Sequence, residues 1–120
     1  MKKNLLIASN NTSDARGIET AFGDVEDIQL LPSVFTGRDA IDTILARDVD
    51  LLILDLFLHD LDGISVLDFI SKLSEDRRPL VFVTTALADD RLLKVIKDRV
   101  IYCFTKPLKY EIVQLRVLEF

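Results

Sequence analysis

Among the 120 residues there is one cysteine, Cys103, and one histidine, His59. A lone thiol excludes an intrachain disulfide and a cysteine-ligated zinc cluster. A lone imidazole leaves a Ser-His-Asp hydrolase only one candidate base. Uninterrupted apolar runs are short, such as Leu51–Leu54, whereas a membrane span needs about 20 such residues. The start, Met1-Lys2-Lys3-Asn4, is followed by apolar residues only from Leu5 to Ala8. A signal peptide wants about 7–15 there, so a cytoplasmic location is expected. Positive charge is in deficit, with 15 basic against 20 acidic residues and a net charge of −5. A free-standing nucleic-acid binder would lean the other way, because phosphate contacts dominate its affinity. No direct nucleic-acid contact and no membrane partner are expected.

Glutamate is scarce too, at 5 residues against 15 aspartates. Aspartate favours caps, turns and cation sites over helix interiors. The bias therefore marks many capped helices, or an aspartate that does chemistry, or both. The length suits one domain, residues 1–120, large enough to bury about two thirds of its unfolded surface. Nearly half the residues are apolar, as in a folded globular chain.

Strand and helix patterns alternate five times. Leu5–Ala8 reads as a strand ended by the polar turn Ser9-Asn10-Asn11-Thr12, rich in N-cap residues. Ala15, Ile18 and Phe22 recur at helical spacing, and Gly23 closes that helix. Ile28–Leu31 is a second strand. Thr36 can cap a helix with Ala40, Ile41, Ile44 and Leu45 inward. Leu51–Leu54 is a continuous apolar strand, the pattern of one covered on both faces. A helix from Ile64 to Leu73 turns Val66, Leu67, Ile70 and Leu73 inward. Leu80–Val83 is a fourth strand, followed by a helix carrying Leu92, Leu93 and Ile96. Val100–Phe104 is a fifth strand. The last helix carries Leu108, Ile112, Leu115 and Leu118.

This alternation predicts an α/β doubly wound, five-stranded parallel sheet with helices on both faces. Ligands of such sheets sit beyond the carboxyl ends of the strands, where strand order reverses. The strands end in Ser9-Asn10, Asp55, Thr84-Thr85 and Lys106. An acid, hydroxyls, an amide and an ammonium converging there suit a phosphoryl-accepting site. Aspartate can form an acyl phosphate, lysine can neutralise a phosphoryl oxygen, threonine can donate to another, and a divalent cation prefers hard oxygen ligands.

Four stretches carry a resemblance: Val49–Asp55, Leu58-His59-Asp60-Leu61-Asp62-Gly63, Leu80–Thr84 and Phe104-Thr105-Lys106-Pro107-Leu108. In their order and spacing the chain resembles the receiver domain of two-component response regulators, over essentially its whole length. Its flavour is nearest to receivers of the sporulation master regulator type. The resemblance implies the flavodoxin-like (βα)5 fold with strand order 2-1-3-4-5. It implies Asp55 as phosphoacceptor, Thr84 as the hydroxyl that follows the phosphoryl group, and Lys106 as its counter-charge. The bond after that lysine is usually cis in the family. A histidine kinase or phosphotransfer protein would be the donor. An output domain beyond Phe120, a DNA-binding one controlling transcription, or a homodimer through the face of the fourth helix, fifth strand and fifth helix, would be the reader. Arg91, Lys94, Lys97 and Asp98 are candidate contacts on that face.

The departures are as specific. Ser9 and Asn10 stand where receivers usually carry two acids that hold magnesium, so affinity for Mg2+ should fall. The remaining expected ligands are Asp55, Asn10 and the backbone carbonyl of Phe57, with Asp14 one helical turn beyond Asn10. His59 replaces the usual proline, and Cys103 stands where an aromatic is expected. A phosphorylation-independent binding or dimerisation module is the alternative these departures motivate. A phosphatase using Asp55 would want a second acid at position 57, which is Phe57. A flavin carrier would want more than the glycine-free loop after the first strand. Simpler roles stand beside the sharper ones: Thr85 as a packing or capping residue, Asp60 and Asp62 as turn formers, His59 as a surface residue, and Cys103 as a small buried apolar group.

Overall fold

The computed structural model describes residues 2–87 and 89–120. Five β-α units follow in order: β1 Lys3–Ala8, α1 Thr12–Phe22, β2 Ile28–Leu30, α2 Gly37–Ala46, β3 Leu51–Asp55, α3 Gly63–Ser71, β4 Leu80–Thr85, α4 Asp90–Ile96, β5 Tyr102–Thr105 and α5 Tyr110–Val117. A single 3-10 turn, Glu75–Arg77, precedes β4. All strand pairs are parallel, in the order β2-β1-β3-β4-β5. The order reverses between β1 and β3, so a crevice opens where those two strands end.

Side-chain alternation divides the core in two. Leu6, Leu52, Leu54, Val81 and Val83 pack under Ala40, Ile44, Val66, Leu67, Ile70 and Ile96 from α2, α3 and α4. Leu5, Ile7, Leu51, Ile53 and Phe82 pack under Ala15, Ile18, Phe22, Val113 and Val117 from α1 and α5. Every residue of β3 is buried, as its unbroken apolar run predicts.

Helix starts follow side-chain chemistry. Asn11, Thr36, Asp62 and Asp89 each accept from the backbone N–H three residues on, so α1, α2, α3 and α4 are all capped. Asp60 is more than a local turn former. Its carboxylate accepts from the Gly37 and Arg38 N–H groups, so it closes the start of α2 from a distant loop.

Two apolar faces differ from expectation. Leu45 is 55% exposed, because α2 lays Ala40 and Ile44 on the sheet and turns the next position outward. In α5, Ile112, Leu115 and Leu118 face outward, and Val113 and Val117 are the buried pair. Both sets have helical spacing, and packing against α1 and the sheet selects the Val113 and Val117 stripe. At β5 regular pairing begins at Tyr102, not Val100, although the Ile101 N–H already bonds Val81 O.

Candidate functional site

The site forms where β1, β3, β4 and β5 end. Asp55 is the last residue of β3 and is 1% exposed. A carboxylate buried this deeply needs compensation, and three groups supply it. The Lys106 ammonium lies 2.6 Å from Oδ2, the Asn10 N–H lies 3.4 Å from the same oxygen, and the Phe57 N–H donates to Oδ1 at 3.1 Å. Thr84 is the direct ladder partner of Asp55 and is buried. The Lys106-Pro107 peptide bond is cis, as the resemblance implied.

Lys106 has three N–H donors and meets three oxygens: Asp55 Oδ2, Asn10 Oδ1 at 2.9 Å and Asp14 Oδ2 at 3.3 Å. Asp14, in the first turn of α1, thus belongs to the site. Burial alone would raise its pKa. Hydrogen bonds from Asn11, Tyr110 and Lys106, with the Lys106 charge, outweigh that and hold it below the ordinary carboxylate value. The Tyr110 hydroxyl donates to Asp14 Oδ1 at 2.9 Å and its own pKa is raised, first by that bond. Sequence reasoning missed Tyr110. The contact joins residues 96 positions apart, and no local pattern encodes it.

Asn10 does most at the end of β1. Besides its contacts with Asp55 and Lys106, its carbonyl meets His59 Nε2 at 3.0 Å, so the loop after β3 spans the crevice. Ser9 is directed elsewhere: its hydroxyl donates to Asn11 O and accepts from the Asn11 N–H, closing the turn into α1. Thr85 does likewise at β4, exchanging both bonds with Leu87. Cys103 is half-buried against the core and burial pushes its thiol pKa up, the reverse of a reactive thiol. Arg91, Lys94, Lys97 and Asp98 are exposed on and just after α4.

The oxygens gathered around Lys106 are hard donors, two carboxylates and an amide, which fit a small divalent cation in kind. They carry less charge than three clustered acids would. Among the described residues no three carboxylate, imidazole or thiolate groups are grouped so that they could hold a metal ion. No helix is long and apolar enough to cross a membrane among the described residues.

A sequence profile of the response regulator receiver domain family matches residues 5–117. Regulatory protein LuxO of Vibrio cholerae is 41% identical over 64 residues, which are 53% of this chain and 14% of that protein. The chain thus spans a small part of that relative's length. The signal receiver domain of a protein described as a Luxo repressor, from Vibrio parahaemolyticus, superposes with a TM-score of 0.88 at 29% identity, covering 99% of this chain and 89% of that one. The RcsB response regulator of Salmonella typhimurium shares the fold, with a TM-score of 0.85 at 18% identity over 99% of this chain and 61% of its own. These relatives lend no support to the sporulation-regulator flavour.

Proposed function

The chain belongs to the response regulator receiver domain family of two-component signalling, and on that premise we propose that it is a phosphoryl-accepting switch with Asp55 as the acceptor. The observation that carries this reading is the buried Asp55 carboxylate at the sheet's reversal point, ion-paired with Lys106 and in register with Thr84. An oxygen of Asp55 attacks the phosphorus of a phosphohistidine on a histidine kinase or phosphotransfer protein. The O–P bond forms as the P–N bond breaks, and the leaving imidazole keeps the electron pair. Such transfers need mainly positioning and charge neutralisation. Lys106 neutralises one phosphoryl oxygen and the Thr84 hydroxyl donates to another. Asp55, Asn10, the Phe57 carbonyl and Asp14 are the oxygens that would hold Mg2+. When bound, the ion screens negative charge between the carboxylate and the incoming phosphoryl group.

The product is a switch state, not a released product, so a phosphoacceptor role is proposed in place of turnover. Phosphorylation replaces a carboxylate by a more highly charged group, and a partner or output domain reads the resulting shift in conformation. Similarity to the regulatory protein LuxO and to the receiver of a Luxo repressor supports an output in transcription regulation. Asp14 in the pocket weakens the motive for a phosphorylation-independent module, because it restores part of the charge lost at Ser9 and Asn10.

Incubation with a small-molecule phosphodonor and magnesium should add the mass of one phosphoryl group, and Asp55→Asn should abolish the gain. A wild-type protein that stays unmodified under those conditions removes the proposal.

A further inference from the structure

Asp14 lies outside the strand-end positions that assemble this kind of site, yet it is tied into the pocket from three sides. Asn11 Nδ2 donates to its Oδ2 at 3.0 Å, the Tyr110 hydroxyl to its Oδ1, and Lys106 shares Oδ2. Tyr110 can reach it only because of Gly17. A Cβ at position 17 would lie 2.2 Å from Cζ of the Tyr110 ring, so the ring occupies the space a side chain would fill. Two independent features of the chain, a missing side chain on α1 and a hydroxyl at the start of α5, therefore converge on one carboxylate.

We infer that Asp14 is a positioning residue of the acceptor site, braced by Tyr110 over Gly17, and that it holds the Lys106 ammonium beside Asp55 in place of the charge missing at the end of β1. Lysine is a point charge on a flexible stem. Asp55 itself ceases to be a carboxylate once its oxygen bonds phosphorus. Asp14 is the anion that stays, keeping Lys106 at the mouth of the pocket throughout the transfer. The groups that face Lys106 are Asp55 from β3, Asp14 from α1 with Tyr110 of α5 behind it, and neutral Asn10, whose carbonyl faces His59.

The purpose assigned to Asp14 rests on the proposed function; its hold on Lys106 does not, and the two are separable. In 15N-labelled, phosphodonor-free and magnesium-free protein, the Lys106 ammonium should give a slowly exchanging proton-nitrogen signal, identified by its loss in Lys106→Arg. Asp14→Asn should broaden that signal away. The helix cap is spared, since Asn11 Oδ1 accepts from the Asp14 backbone N–H. Gly17→Ala and Tyr110→Phe should each weaken the signal, and together no more than singly, because both act by removing the hydroxyl from Asp14. A signal unchanged in Asp14→Asn, with the fold intact, overturns the inference. With phosphodonor, Asp14→Asn should lower the maximal rate roughly ten-fold at an unchanged half-saturating donor concentration, and Asp14→Glu should recover part of it. An unmodifiable wild type would sink the acceptor reading while the ammonium signal still decides the place of Asp14.

Discussion

Around Asp55 a single buried carboxylate sets the character of the whole rim. One lysine serves two carboxylates and an amide, so removing Lys106 leaves two carboxylates uncompensated in a partly desolvated place. The pairing of Asp14 also leaves a pH signature. Its folded pKa lies below the unfolded one, so its contribution to stability is present above the ordinary carboxylate range and is lost as pH falls through the folded value. Tyr110→Phe should therefore lower stability by about 1 kcal/mol near neutral pH. That gap, read from urea midpoints of the two proteins, should narrow below roughly pH 4. A gap that is constant across this range would remove ionised Asp14 from the account. Asp55 and Lys106 were legible in the sequence because each follows or precedes a clear local signal, an apolar strand or a proline. The partnership of Asp14 with Tyr110 was not, because it depends on where two helices lie.

The elements place these side chains by their ends. The connection from β3 into α3 folds back closely on the end of its own strand. A Cβ at Gly63 would lie 2.7 Å from the Leu56 Cα and 3.0 Å from the Asp55 carbonyl oxygen. These are backbone atoms, which cannot swing aside as a tyrosine ring can. Gly63→Ala should cost about 1–3 kcal/mol by overpacking, measured by urea denaturation. It should also slow modification of Asp55, since the strand end itself has to move. A variant with unchanged stability would mean that the turn has slack the packing does not suggest. The sequence pattern starts the third helix at Ile64 and leaves Gly63 to the preceding motif, because the close approach of Leu56 is tertiary. The same distinction explains α5. Its sequence offers two apolar stripes, and only the surface it meets selects Val113 and Val117 over Ile112 and Leu115.

Across the whole molecule one sheet separates two cores, and neither can persist without it. Leu6→Ala on one side and Ile18→Ala on the other should each cost about 2–5 kcal/mol. Both should shift a single unfolding transition. Two separate transitions in either variant, followed by circular dichroism and fluorescence together, would show that the layers unfold independently. By itself the sequence determined the order and type of the elements, the parallel sheet and the strand-end residues. Those follow from local periodicity, capping chemistry and the handedness of crossovers, which act over a few residues at a time. Only the tertiary structure decided which helical stripe is buried, that Ser9 is spent on a turn, and that Asp14 and Tyr110 join the pocket around Asp55 and Lys106. Those outcomes depend on distances between chain segments up to 96 residues apart, which packing and burial set and no local pattern records.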